Sequence, residues 1–236
     1  MNRTNATLVR HASRALGVAA LLGLALAATQ LSAPVDANAQ DETAAAVAVD
    51  PERGEKLYAL CAQCHGENGA GNPMALAPSI AGLPQWFVEG QLKKFKNGAR
   101  GTHFDDIPGM RMRPMSLWLK QDSDVVAVAE FVANMEKAEP VAILEGGDPE
   151  AGKAKYLPCT ACHGQNGQGN QALNAPPLAG MSDWYQLWAL KAFKAGIRGT
   201  NPLDTTGALM RPMSMTLADE QQMLDVIAYI GTLSGE

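Results

Sequence analysis

The chain has 236 residues, with 19 Lys+Arg against 24 Asp+Glu (net charge −5) and 47% hydrophobic residues. That composition excludes a disordered, collagen-like or coiled-coil chain, and its acidic balance argues against binding nucleic acid through the phosphates. The length admits one large domain or two small ones.

Arg3, Arg10 and Arg14 precede an uncharged apolar run from Ala15 to Ala28, and Ala37-Asn38-Ala39 follows it. This order reads as a secretory signal peptide over residues 1–39, cleaved before Gln40. The alternative is an uncleaved anchor, but the run is shorter than the ~20 residues a bilayer span takes. Cleavage removes three Arg and Asp36, leaving 16 basic and 23 acidic residues. No later segment approaches a span, so the expectation is an exported protein, placed in the periplasm, with no stable membrane insertion. Residues 40–49 read as a tail.

Asp50-Pro51 looks like an N-cap followed by Pro at the first helical position. The helix it opens runs into Cys61-Ala-Gln-Cys64-His65. A Gly- and Pro-rich loop follows from Gly66 to Pro84. A helix over about Gln85–Lys96 stops before Gly98. The run Lys93-Lys94-Phe95-Lys96 on it reads as a solvated helix face. The Met- and Pro-containing stretch Met112-Arg-Pro-Met115 reads as a loop. A last helix then begins at Asp122 or Ser123, with Val125, Val126, Val128, Ala129 and Val132 as its apolar positions. Lys137 to Gly147, broken by Pro140 and Gly146-Gly147, is a linker.

From Asp148-Pro149 onward the chain repeats itself at an offset of 98 residues: positions 61–119 and 159–217 share 29 identities in 59 without a gap. Chance gives about one in fifteen at ordinary composition. The period is too long for a solenoid, whose units run about 20–50 residues, so the reading is two homologous domains, 50–137 and 148–236, joined by 138–147. In the second copy Ala218 or Asp219 opens the last helix, and Met223, Leu224, Ile227 and Ile230 form its apolar face. No strand pattern stands out. Units this small and this rich in loops need a disulfide set, a metal or a cofactor.

The second unit carries Cys159-Thr-Ala-Cys162-His163 at the place of the first motif. Two thiols at this spacing lie about one helical turn apart and can add to the two vinyl groups of one haem. The following His then lies under the iron as proximal ligand. The motif therefore implies two covalently bound haem c groups, held by Cys61, Cys64, Cys159 and Cys162 with His65 and His163 on the irons. A thioredoxin-type redox pair would need a βαβ pattern that is missing. A zinc site would have to recruit Met, a poor zinc ligand, as its fourth donor. For the sixth iron position His103 is unsuitable, because its twin is Asn201. Among the methionines only Met112/Met210 and Met115/Met213 recur. A thioether suits a low-spin iron, although Met also fills core gaps.

The paired motifs, the stretch from Gly90 to Gly101 (GQLKKFKNGARG) and the Met-Arg-Pro-Met segment resemble class I c-type cytochromes, and the duplication resembles the dihaem cytochrome c4 family. The G-x-R-G-T stretch also resembles haem domains appended to oxidases. The resemblance covers about residues 50–234. It implies an all-α fold of two tandem class I cytochrome c domains, each wrapped around one covalent haem with His/Met iron. Its pattern, a ligand Met seven residues before the Leu that opens the last helix, falls on Leu119 and Leu217 and selects Met112 and Met210. It further implies that Pro78 and Pro176 fix the proximal His rings through their carbonyls, and that Gly54 and Gly152 permit close contact with Phe131 and Tyr229. Arg100 and Arg198 would pair with haem propionates or be plain surface arginines. Trp86 and Trp184 would hydrogen-bond a propionate or simply pack.

Two irons with both axial positions filled would leave no open site, which points to an electron carrier rather than an enzyme. Such a carrier would take electrons from a quinol-oxidising complex and pass them to a terminal oxidase or a periplasmic reductase. The alternatives are a dihaem enzyme of peroxidase or thiosulfate-oxidising type, or a fixed electron-transfer subunit of a respiratory complex. No clustered general acid and base supports the enzyme. Charge does not select a partner. Residues 50–137 carry 10 basic and 11 acidic side chains and residues 148–236 carry 6 and 8, with no docking patch and no pointer to an oligomeric state.

Overall fold

The computed structural model describes residues 51–235. The signal-peptide and tail readings and the Asp50 cap lie outside them. The first half runs α1 (Pro51–His65), a 3₁₀ turn (Pro73–Ala75), α2 (Gln85–Lys96), α3 (Ile107–Trp118) and α4 (Asp122–Ala133). The second half repeats the order as α5 (Pro149–His163), a 3₁₀ turn (Gln171–Leu173), α6 (Asp183–Lys194), α7 (Thr205–Met215) and α8 (Glu220–Ile230). Among the described residues the only β-type pairings are two isolated bridges, Asn72 with Ala77 and Asn170 with Ala175. The fold is all-α, written twice.

Local chemistry sets the helix ends. The Asp148 carboxylate accepts the Glu150 N–H at 2.9 Å, with Pro149 in the first turn of α5. Both motif helices stop on their histidine, because the next residue, Gly66 or Gly164, takes φ +82° or +81°, a conformation open to glycine at no steric cost. A buried tyrosine two turns back secures each exit: Tyr58 donates to Gly66 O at 2.7 Å and Tyr156 to Gly164 O at 2.8 Å.

Each half is built on a crossed helix pair. α4 buries Val125, Val128, Ala129 and Val132 against Leu57 and Tyr58 of α1, and α8 buries Met223, Val226, Ile227 and Ile230 against Tyr156 of α5. The helices approach closely at Gly54 and Gly152. A Cβ at Gly54 would stand 2.9 Å from Phe131 Cβ and 2.6 Å from Ala127 O. One at Gly152 would stand 2.9 Å from Tyr229 Cβ and overlap Asp225 O. Alanine at an exposed helical glycine stabilises by about 1 kcal/mol. Here Gly152→Ala is expected to destabilise by about 1–3 kcal/mol through overpacking. Denaturant unfolding reads the sign, and a gain in stability would contradict this packing.

Three sequence expectations need correction. The Met-Arg-Pro-Met segment is helical, not a loop: it lies within α3 and α7, with Pro114 and Pro212 inside them. An interior proline removes one helical hydrogen bond, but other contacts hold these helices. Asp106 caps α3 by accepting Gly109 N at 2.9 Å and also accepts Gly101 N at 3.1 Å. Asp204 caps α7 through Gly207 N at 3.1 Å. Ser116 and Ser214, both fully buried, donate to the Arg113 and Arg211 carbonyls at 2.8 and 2.7 Å. Second, α4 is capped at neither Asp122 nor Ser123. Gln121 is the N-cap, and Asp124 reaches back to accept its N–H at 3.1 Å while pairing with Arg53. In the second half Asp219 is the cap, accepting Gln222 N at 2.9 Å.

The third correction concerns the lysine run, which is not simply a solvated face. Lys96 donates to Leu119 O at 2.7 Å, and Lys94 crosses to the other half, to Asp204 at 2.6 Å and to Thr206. A lysine ammonium takes such positions because its long stem can carry a charge from an exposed helix to a distant acceptor. Three more hydrogen bonds cross between the halves: Ser79 N to Ser182 Oγ at 2.9 Å, Arg100 Nη2 to Tyr185 OH at 3.1 Å, and Asn201 Nδ2 to Gly98 O at 2.8 Å. The two halves pack as one compact unit. The connecting segment is held on the second half, where Asp183 accepts the N–H groups of Ile143 and Leu144 at 2.8 Å each.

Candidate haem sites

Each half encloses one large apolar hollow beside its motif helix. Cys61, His65, Pro78 and Met112 line the first, with Leu92 and Val128 on its apolar wall. Cys159, His163, Pro176, Met210 and Met213 line the second, with Ile230 opposite. With their open mouths they hold about 890 and 1030 Å³, the scale of a site for a large organic ligand.

The histidines are prepared as ligands. Both are 5% exposed. Nδ1 of His65 lies 2.8 Å from Pro78 O, and Nδ1 of His163 lies 2.8 Å from Pro176 O. A carbonyl can only accept, so Nδ1 carries the proton and Nε2 keeps its lone pair. Burial pushes both imidazoles below their ordinary pKa, the proline carbonyls opposing in part. The neutral form, the one that binds metal, is therefore favoured.

The cysteines divide by position. Cys61 and Cys159 face the hollows, and burial pushes the Cys61 thiol up to about 11 and raises Cys159 as well. Cys64 and Cys162, one turn on, are exposed outside the linings. One sulfur inside and one at the rim is the arrangement for gripping a flat group by its edge. In the first half Met112 lines the hollow while Met115 is 38% exposed outside it. In the second half Met210 and Met213 both line the hollow, Met213 at 36% exposure.

Arg100 lines the first hollow and Arg198 the second. Arg100 is 6% exposed, donates to Gln91 Oε1 at 2.6 Å and stacks 4.3 Å over Phe95. Arg198 stacks 4.3 Å over Phe193, and burial, with Arg100 adding to it, pushes its pKa down to about 10. Both Nε atoms are buried without a partner. Buried guanidinium donors lacking an acceptor call for an anion, and haem carries two carboxylates. Neutral imidazoles with a free Nε2, thioethers, paired thiols and unpaired guanidinium N–H groups together fit haem c.

The tryptophans are not part of these linings. Trp86 and Trp184 sit half-buried at the starts of α2 and α6, edge-on to Phe87 and Tyr185 at 5.8 Å. The next residue along, Phe87 or Tyr185, is the one that faces the hollows, and a helical step of about 100° turns the tryptophan aside. The sequence reading missed Asp106 and Asp204, although the D-x-x-G pattern repeats in both copies. It also missed Arg113 and Arg211, whose side chains pack against Gly98/Gly101 and Gly196/Gly199. Among the described residues no group of three or more His, Cys, Asp or Glu could hold a metal ion. None of the described helices is long and apolar enough to cross a membrane.

Comparison with known proteins agrees with this chemistry. The sequence profile of the family described as Cytochrome c matches twice, over residues 51–136 and 149–234. A thiosulfate dehydrogenase electron acceptor of Thiomonas intermedia is 32% identical over 69% of this chain and 74% of its own length. Cytochrome c4 of Stutzerimonas stutzeri is 28% identical over 72% of this chain and 83% of its own. The cbb3-type oxidase subunit CcoP of Rubrivivax gelatinosus is 32% identical over 62% of this chain and 45% of its own. Among solved structures, cytochrome c4 of Acidithiobacillus ferrooxidans superposes with a TM-score of 0.62 at 26% identity, covering 75% of this chain and 99% of that one. Thiosulfate dehydrogenase of Marichromatium purpuratum gives 0.61 at 27% identity, covering 78% of this chain, which spans 40% of that one. The chain belongs to the cytochrome c family, as a cytochrome c4-like protein with two tandem domains and two covalently bound haem c groups.

Proposed function

We propose that this chain is a periplasmic electron carrier, exported by a cleaved signal peptide over residues 1–39 and working through haem domains 50–137 and 148–236 joined by 138–147. His65 and Met112 would hold the first iron, and His163 and Met210 the second. Cys61, Cys64, Cys159 and Cys162 form the thioethers. The bound group supplies one-electron redox chemistry; the chain does the rest. Pro78 and Pro176 hold each imidazole in one tautomer, Arg100 and Arg198 receive carboxylates at the haem edge, and the apolar walls keep water away. The observation that carries the reading is that each hollow presents an imidazole with a free Nε2 and a methionine sulfur. Filling both axial positions leaves electron transfer as the chemistry open to the iron.

The donor is a quinol-oxidising complex or a thiosulfate-oxidising enzyme, and the acceptor is a terminal oxidase or a periplasmic reductase. Relatives named as a thiosulfate dehydrogenase electron acceptor and as a cbb3-type oxidase subunit support that placement. The test is rapid mixing of the reduced protein with carbon monoxide, with peroxide, and with membranes containing a terminal oxidase. A carrier leaves the first two without effect and is reoxidised by the third. Carbon monoxide binding or peroxide turnover by one haem would replace the carrier with the enzyme.

A further inference from the structure

Several departures from the repeat lie where the halves meet. At the 98-residue offset Phe87 is matched by Tyr185, Lys94 by Ala192, Pro84 by Ser182 and His103 by Asn201. The hydrogen bonds across the junction draw on these unmatched residues. In three of them the mirror-image bond cannot form. Ala192 and Phe87 have no group to offer, and Pro177 has no N–H to give to Pro84. The junction is thus specific to one first half facing one second half.

Tyr185 stands at its centre. It lies in the wall of both hollows, together with Phe87, Gln91 and Met181. Its ring stacks on Trp188 at 5.7 Å with 23° between planes, so its direction is set from within the second half. Arg100 of the first half donates to its hydroxyl at 3.1 Å. The charged groups acting on it are Arg100 and Asp106 from the first half and Arg198 from the second. The oxygen therefore accepts from one guanidinium and keeps its own proton to donate. In the wall between the hollows, an oriented hydroxyl and two guanidinium groups would carry a change of charge in one hollow to the other.

We propose that Tyr185 is a positioning residue for electron exchange between the two haems, holding with Arg100 the wall they share so that the state of one haem sets the properties of the other. Phe87, the same position in the first copy, has no hydroxyl with which to do this. The role rests on the two-haem carrier reading above.

Tyr185→Phe in the full-length holoprotein tests it, because the first copy already carries Phe at that place. Tyr229→Phe is the matched control. It too installs the first copy's residue (Phe131), but on the α5–α8 contact, outside both linings. Three readouts are taken: haem per chain with the ferric spectrum, the two macroscopic potentials, and the Soret circular dichroism, which reports haem–haem geometry. Tyr185→Phe is expected to keep two low-spin haems. It should change the equilibrium constant for electron exchange between them threefold or more and weaken the Soret couplet, while Tyr229→Phe matches the wild type. Unchanged exchange and couplet in Tyr185→Phe, or the same change in Tyr229→Phe, would overturn the role. A wild-type chain without two low-spin haems would overturn the carrier reading itself, and this role with it.

Discussion

Replacing Met112 by alanine turns the first haem from low-spin to high-spin and opens it to carbon monoxide and peroxide, while the second haem keeps its spectrum. Met210→Ala does the same to the second haem alone. The expectation follows from geometry. Met112 is the methionine of its segment that lines the first hollow, whereas Met115 is turned outward on the same helix. Loss of a thioether ligand also lowers the potential of that haem, by on the order of 100 mV within the ~0.8 V range that axial ligands span. Met115→Ala should leave the spectrum intact and shift stability by no more than ~0.5 kcal/mol, as exposed substitutions do. The second half is the sharper case, because Met210 and Met213 both line its hollow. Met213→Ala there is expected to retain the far-red band of ferric Met ligation, and loss of that band would move the ligand to Met213.

The second large effect concerns folding. Changing Cys61 and Cys64 together to alanine should reduce the haem count from two to one per chain and unfold the first half, leaving the second intact. The first hollow holds about 890 Å³ with its mouth. The cavity proper is about 110 Å³, and leaving it void at ~24 cal/mol per Å³ costs about 3 kcal/mol, against a total stability of ~5–15 kcal/mol for a domain. The pair α1–α4 has too small a core of its own to absorb such a loss. Haem stoichiometry and limited proteolysis check the result. A double variant with two haems, or a first half resistant to protease without its haem, would contradict it.

Much of this was legible in the sequence, for physical reasons that differ by element. The helix from Gln85 to Lys96 could be bounded because Gly98 stops it, and its twin is bounded by Gly196. Asp148 could be read as a cap because a short carboxylate before a helix-opening proline has one efficient use, and Asp219 is one of two candidates for its helix. Of the residues that meet in each hollow, Cys61 and His65 with their counterparts are singled out by the motif and the repeat, whereas Pro78 and the choice of Met112 over Met115 come only from the family resemblance. Other features depended on context. A proline inside Met-Arg-Pro-Met suggested a loop, yet Asp106, Asp204 and two buried serines hold those segments helical. Trp86 could be read as a propionate partner or as packing, and nothing in the sequence marked its neighbour, Phe87, as the side chain lining the hollow.

The junction was the least legible part. Lys94 on a basic run gave no sign of Asp204, which lies 110 residues away in sequence. Tyr185 stood out only as a mismatch to Phe87. Which mismatches matter is decided by how the halves dock, and periodicity within one half carries no information on that. The repeat nonetheless contained the clue in negative form, since each hydrogen bond that bridges the halves uses at least one residue that the duplication failed to keep.

The central claim is two His/Met haems in one chain, both confined to electron transfer. An anaerobic optical redox titration of the mature protein, with haem counted as the pyridine haemochrome, tests it most directly. The account predicts two haems per chain, both low-spin with the far-red band of Met ligation and both at positive potential. One haem per chain, or a high-spin, low-potential haem that reacts with peroxide, would contradict it.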